Sequence, residues 1–158
     1  MVMMTTSDRG RGLIKQYEGL RLQAYRCPAG VPTIGWGHTE GVKMGQRITE
    51  QQAEQLLTED LAPVERLLNT MHIDFRQEQF DALASWIFNL GRGTFVSSTL
   101  CKRLQAGAAD EQVADEIVRW VHASGRPLVG LMRRRVQEAN MFLGRVRYKV
   151  VNSKIIKV

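Results

Sequence analysis

Between Glu18 and Thr39 the chain reads EGLRLQAYRCPAGVPTIGWGHT, a stretch whose four glycines and two prolines rule out a long helix. Glu18 closes a helix-like segment. Cys27 and Thr33 follow it nine and fifteen residues later, separated by the turn-rich Cys-Pro-Ala-Gly-Val-Pro. A reversing hairpin there carries both side chains back toward the carboxyl group. The glycines of Thr-Ile-Gly-Trp-Gly-His-Thr let the backbone run close to whatever lies beside it. An acid, a thiol and a hydroxyl gathered in this way suit a hydrolytic site that cuts sugars.

The flanking sequence is helical in pattern. Leu13, Ile14 and Tyr17 share one face of a short helix that begins near Ser7 or Asp8 and ends at Gly19. Residues 20–47 alternate short apolar runs with Gly and Pro, which predicts a small antiparallel sheet. Thr49-Glu-Gln-Gln52 is a capping-box pattern, and the apolar residues from Ala53 to Met71 recur at three and four positions. The spacing predicts one long helix over 49–71, bent or broken by Pro63, that joins a small N-terminal lobe to a helical one. Further helices are expected from Asp74 to Leu90, from a cap at Ser97 or Thr94 to Ala106, from Asp110 to about Ala123, and over 129–143. Residues 145–158 are basic with partial alternation, which fits a strand and a flexible tail equally.

The motif Glu-x8-Cys-x5-Thr followed by Ile34-Gly35-x-Gly37-His38 resembles the signature of the phage-type lysozymes, or endolysins. Gln79-Phe80-Asp81-Ala82-Leu83, Phe88-Asn89-x-Gly91, Phe95-x-x-Ser98-Thr99-Leu100 and Gly130-Leu131-x-x-Arg134-Arg135-x-x-Glu138 are similar to that family's helical landmarks, in the same order. The likeness covers most of residues 8–144. It implies an α+β, mainly α-helical, lysozyme-like fold within one domain over 1–158. A β lobe at 20–48 and a helical lobe made of 7–19 and 49–144 would face each other across a cleft, and 145–158 would form a basic tail.

The resemblance also implies hydrolysis of the β-1,4 bond between N-acetylmuramic acid and N-acetylglucosamine in peptidoglycan, with inversion. Glu18 is the expected proton donor. A carboxyl group donates at neutral pH only where its surroundings favour the neutral form, and the unpaired carbonyls of a helix C-terminus act in that direction. An arginine from Arg133 to Arg135 would oppose this while orienting the carboxyl. Cys27 stands where the family often has aspartate. Three roles remain open for it: thiolate base for a water, polar wall behind that water, or nucleophile, against the plain alternative of a small buried hydrophobe. Inversion favours the first two. Thr33 is expected to hold the attacking water, unless it is only a strand residue. His38, Thr39, Phe88, Asn89 and Ser98 are the expected substrate-binding positions. Phe88 also fits an ordinary core position, and His38 also fits a hydrogen bond tying the sheet to the first helix. Trp86, Trp120 and Cys101 read as core, whereas Trp36 could face either way.

Three histidines and two cysteines, without ligand spacing, argue against a bound metal, and no cofactor is expected. Two cysteines do not make a disulfide framework. The N-terminus has no signal-peptide pattern, and no window approaches the ~18 apolar residues of a membrane span. The chain is therefore expected in the host cytoplasm as a monomer until a holin-like partner opens the membrane, after which peptidoglycan is its partner. Residues 126–158 carry nine Lys/Arg against Glu138 alone, so this end is read either as a contact for an anionic envelope or membrane or as a solvated face with a frayed tail. No specific nucleic-acid partner is expected. The rival readings are a chitinase, a lytic transglycosylase, and a non-catalytic wall- or nucleic-acid-binding module on the same scaffold.

Overall fold

The computed structural model describes residues 3–158. The hydroxyl of Ser7 accepts from the Gly10 N–H and caps α1 (Asp8–Glu18), which Gly19 ends at φ 71°. Glu18 is thus the last helical residue, as its sequence context implies. β1 (Arg21–Arg26) and β2 (Pro32–Gly35) then pair antiparallel, with Tyr25 opposite Thr33 and Arg26 opposite Pro32. Of the sheet expected over 20–47, these two strands and two bridges, Gln23 with Arg47 and Ile34 with His38, are formed.

α2 (Glu50–Thr70) starts with the expected capping box, since Thr49 and Gln52 exchange side-chain to backbone bonds of 3.1 and 2.8 Å. Its apolar stripe serves two cores. Ala53, Leu57 and Leu61 pack with Ile14 and Trp36, whereas Val64 and Leu68 belong to a larger cluster built from the later helices. Pro63 lies at the changeover, and the carbonyl that it leaves without a donor belongs to exposed Glu59. Trp36, which the sequence leaves open, is buried with Lys15 Nζ 4.4 Å from its ring centroid.

α3 (Gln77–Leu90) is buried over nine consecutive residues, Gln79 to Ile87. It begins three residues later than expected from Asp74. Phe75 and Phe80 meet edge to face on either side of the Arg76 cap, and Gln79 Oε1 accepts the Arg76 N–H at 2.9 Å. This hydrophobic staple and the one-way bond between Gln79 and the cap fix the start at Gln77. The single helix expected up to Ala106 is instead two, α4 (Arg92–Ser97) and α5 (Thr99–Gln105). The capping residue is Ser98, not Ser97 or Thr94.

α6 (Asp110–Ile117) stops well short of Ala123. Ser124 and Gly125 both have positive φ, and this tight turn pairs β3 (His122–Ala123) with β4 (Arg126–Pro127). Trp120 falls in the intervening turn and is 39% exposed, its ring edge to face with buried Trp86. The core position expected for it is therefore corrected to a half-covered one. α7 (Val129–Leu143) runs as expected and ends at left-handed Gly144.

The last fourteen residues are not a loose tail. β5 (Tyr148–Val151) and β6 (Lys154–Lys157) form a hairpin whose turn residues, Asn152 and Ser153, both have positive φ. Asn140 of α7 accepts the N–H groups of Arg147 and Tyr148 and donates to the Tyr148 carbonyl. Tyr148 is buried, with its hydroxyl bonded to Asp115. Glu111 and Asp115 of α6 pair with Arg145, Arg147 and Lys157, which offsets much of the charge that makes this end look basic in sequence.

Because Tyr148 fills the large core, Tyr148→Ala should cost about 3–5 kcal/mol in urea unfolding, and Tyr148→Phe only about 1. Equal, small effects would show that the hairpin merely rests on the surface.

Candidate active site

Glu18 lies at the mouth of a cleft of about 460 Å³. Helix α1 delivers it there because Asp81 of α3 grips the start of α1 through the Ser7 N–H, at 2.9 Å, and through the Ser7 hydroxyl. Gly10 lets the two helices touch, since a Cβ there would come within 2.6 Å of Asp81. Across the cleft, Phe88 and Asn89 at the end of α3 and Arg92 of α4 form one wall. Gly37, Thr39, Glu40 and Asp60 form the other.

One carboxylate oxygen of Glu18 accepts from Arg134 Nη1 at 2.6 Å. The second lies where a Cβ on Gly37 would meet it at 2.9 Å, and Gly37 has φ 81°. The Ile-Gly-Trp-Gly-His loop is closed by a pair of 2.9 Å backbone bonds between Ile34 and His38. Its glycines thus bring backbone against the acid, as the sequence suggests.

Arg134 is itself anchored. Its remaining nitrogens reach Glu138 and Ser85, and Ser85 donates to Glu138 Oε2 at 2.6 Å. Arg135 gives one nitrogen to Asn89 Oδ1 at 2.8 Å and approaches the same Glu138. Its Nε lies 2.8 Å from Glu138 Oε1, but neither atom makes an aligned hydrogen bond. Burial pushes the Glu138 carboxyl up, and the two guanidiniums pull it down. We take the group as ionised, because guanidinium does not give up its proton and a neutral Glu138 would leave the buried Arg135 without a countercharge.

Cys27 and Thr33 are brought together by the hairpin. The Cys27 N–H donates to the Val31 carbonyl, and the turn closes from Gly30 N–H back to the Cys27 carbonyl. The Val31 and Ala29 backbone and the Thr33 side chain, Val31 foremost, hold the Cys27 thiol below its ordinary range, with partial burial opposing them. Thr33 is buried, and its hydroxyl lies 2.9 Å from the Val31 carbonyl, so it can turn between that acceptor and the sulfur. Neither residue borders the cavity that Glu18 lines.

Thr39, Phe88 and Asn89 border the cavity, and Phe88 also packs against the small core. His38 ties its loop to α2 rather than to the first helix. Its Nδ1 faces both Asp60 oxygens, at 2.8 and 3.0 Å, and its Nε2 faces the Glu40 carbonyl. Burial raises the Asp60 carboxyl despite the bond to His38. Ser98 is a correction: it is 4% exposed, bonded to Phe95 and Cys101 within the helical core, and does not face the cleft. Capping two short helices turns its hydroxyl inward. Asp60, Glu40 and Arg92 are cleft residues that sequence reasoning missed, and none stands in a motif that would reveal it. The i, i+4 spacing of Arg134 and Glu138 was a visible signal for their pairing. Cys27 and Cys101 are both free thiols, and burial raises the latter. Among the described residues, no three His, Cys, Asp or Glu side chains gather as a metal site, and no helix is long and apolar enough to cross a membrane.

The phage lysozyme family matches residues 15–138. The chain is 44% identical over 144 residues to the endolysin of Acyrthosiphon pisum secondary endosymbiont phage 1, covering 88% of this chain and 98% of that one. It is 38% identical over 143 residues to the endolysin of Salmonella phage P22, covering 87% and 97%. The solved muramidase domain of SpmX from Asticaccaulis excentricus superposes with a TM-score of 0.81 at 38% identity, over 88% of this chain and 97% of that one. The α+β, mainly helical fold is thus a lysozyme-like one.

Two outcomes follow from this geometry. Gly37→Ala should push the Glu18 carboxylate out of place and lower kcat about 10- to 100-fold, with a stability loss of only about 1–2 kcal/mol. Near-parent turnover would mean the contact is irrelevant. The depressed Cys27 thiol bears on pH. If the ionised group is needed, activity rises as the thiol loses its proton. Cys27→Asp, ionising near about 4, should then move the acidic limb downward, and Cys27→Ala should lose most activity. A fully active Cys27→Ala protein with the parent profile would reduce Cys27 to packing.

Proposed function

This chain belongs to the phage lysozyme family and is a glycoside hydrolase, and from that premise we propose that it cleaves the β-1,4 bond between N-acetylmuramic acid and N-acetylglucosamine in peptidoglycan. Glu18 is the general acid that protonates the leaving oxygen. What supports this reading above all is the placement of Glu18: a carboxyl group at a helix end, opening on a cleft and held from behind by buried Arg134. Phe88 offers an aromatic face for the apolar side of a sugar ring. Asn89, with its oxygen taken by Arg135, is left with its amide N–H groups for a hydroxyl or an N-acetyl carbonyl.

As the glycosidic bond lengthens, positive charge grows on the sugar ring and a water must reach its far face. Although neither borders the cavity that Glu18 lines, Thr33 and Cys27 are the groups assigned to hold and activate that water: the lowered pKa puts more of the thiol in the thiolate form, which takes the water's proton and releases it to solvent. Glu18 ends the cycle ionised and regains its proton from solvent. In the biological setting the chain waits in the cytoplasm until a holin-like partner opens the membrane, and then lyses the host wall. Among the described residues of the basic end, Lys149 and Lys154 of the hairpin are among the cations without an acidic partner, as are Arg126 and Arg133, and these are available to an anionic envelope.

Glu18→Gln should lower turnover of purified peptidoglycan at least about 100-fold while leaving the melting curve unchanged, because an amide cannot supply the proton. Reduction of the digest with borohydride should give muramitol at the new ends. Glucosaminitol ends, anhydro-sugars, or a folded Glu18→Gln protein with ordinary turnover would each contradict the assignment.

A further inference from the structure

Helix α7 places a fully buried carboxylate, Glu138, between two arginines that both point outward to the cleft. Arg134 reaches Glu18, and Arg135 reaches Asn89. We propose that Glu138 is a positioning residue of the site: it holds both guanidiniums, so that acid and amide are fixed from one buried point, and its charge offsets the guanidinium that Glu18 alone cannot balance. The proposal rests on Glu18 being the acid, but its test does not.

The electrostatic part follows from counting charges. Two guanidiniums face two carboxylates, so the group of four is neutral only while Glu18 is ionised. When Glu18 carries its proton the cluster is left with one excess positive charge. Without Glu138 it would be left with two, and the protonated acid would be correspondingly disfavoured. Burial makes the balance matter, since Glu138 and Arg135 are 0% exposed and Arg134 is 3% exposed. At such burial one charge is screened from the next far less than at a surface.

The groups that face Glu138 are Arg134 and Arg135 on its own helix, Ser85 from α3 and Tyr17 from α1, whose hydroxyl is raised by burial first and by Glu138 next. Those that face Glu18 are Arg134 directly and Arg135 behind it, with Asp60, Glu40 and Arg92 around the cleft. The cleft groups are the same in every variant below, so their effect cancels in the comparison.

The mechanical part follows from geometry. Arg134 is spread over Glu18, Glu138 and the Ser85 carbonyl and hydroxyl, and Arg135 over Asn89 and Glu138. A planar guanidinium fastened at its inner edge has little freedom at its outer edge. Removal of Glu138 frees both inner edges together, which couples the aim of the acid to the aim of the amide.

The test is the pH profile of kcat/KM, together with the titration of Glu18 read by carbon NMR of carboxyl-labelled protein. In Glu138→Gln the alkaline limb and the Glu18 midpoint should both fall by about one pH unit. In Glu138→Gln combined with Arg135→Gln, which removes one charge of each sign, both should return toward the parent while KM stays raised, because Asn89 has lost its holder. Parent values in folded Glu138→Gln would overturn the proposal. If that variant does not fold, Arg135→Gln is compared with the double variant, and the added Glu138→Gln must lower the Glu18 midpoint; no change overturns the proposal. Should Glu18→Gln prove active, the limb loses its meaning as a report on the acid, but the NMR midpoints still decide what Glu138 does to Glu18.

Discussion

A helix buried along most of its length must find a partner for every polar side chain it carries, and α3 meets this demand along one line. Gln77, Asp81, Ser85 and Asn89 recur at every fourth residue, so they stand above one another on a single face. Gln77 donates to Asp81, and Asp81 takes the start of α1 through Ser7. Ser85 bonds Glu138 and Arg134 of α7, and Asn89 bonds Arg135 at the edge of the cleft. Each partner is an element that the site needs. Leaving Asp81 or Ser85, the two buried members, unpaired would cost about 1–3 kcal/mol, so the polar line sets where α1 and α7 lie as firmly as the apolar faces do. The acid and the amide thus inherit their positions from the packing of one central helix.

The small lobe is built on the opposite economy. Its core has five buried side chains, three of them, Ala53, Leu57 and Leu61, on the long helix it shares with the larger lobe. The backbone does the rest. Two short strands, a closed loop from Ile34 to His38 and the tie from His38 to Asp60 present main chain to the cleft with few side chains in the way. This suits a site that must admit a sugar polymer, whose hydroxyls need polar partners along their whole length.

Long periodic segments were legible in the sequence because their signals are local. The Thr49 capping box, the stripe along α2, and the glycines ending α1 and α7 act within a turn of the residues they concern. The errors lie where distant residues decide. Asp74 resembles a cap, but Phe75 and Phe80 begin the helix one turn later. The run after Ile117 keeps an apolar pattern, but the turn at Ser124 and Gly125 takes it into a strand. The C-terminal segment fits a strand and a tail equally in sequence, because the acids that pair with it, Glu111 and Asp115, stand on another helix. In the site, the spacing of Glu18, Cys27 and Thr33 could be read along the chain. The inward turn of Ser98, the cleft positions of Asp60 and Arg92, and the joint hold of Glu138 on two arginines arise only from packing.

Glu18 and the arginine that holds it are separated by 116 positions. A nascent chain that has grown only as far as β4 already carries the acid, the hairpin with its thiol and hydroxyl, and the cleft walls at Phe88 and Asn89. It has no guanidinium behind any of them, and its central helix has no α7 against which to bury Ser85. The order of synthesis therefore leaves the acid unanchored until α7 has been made.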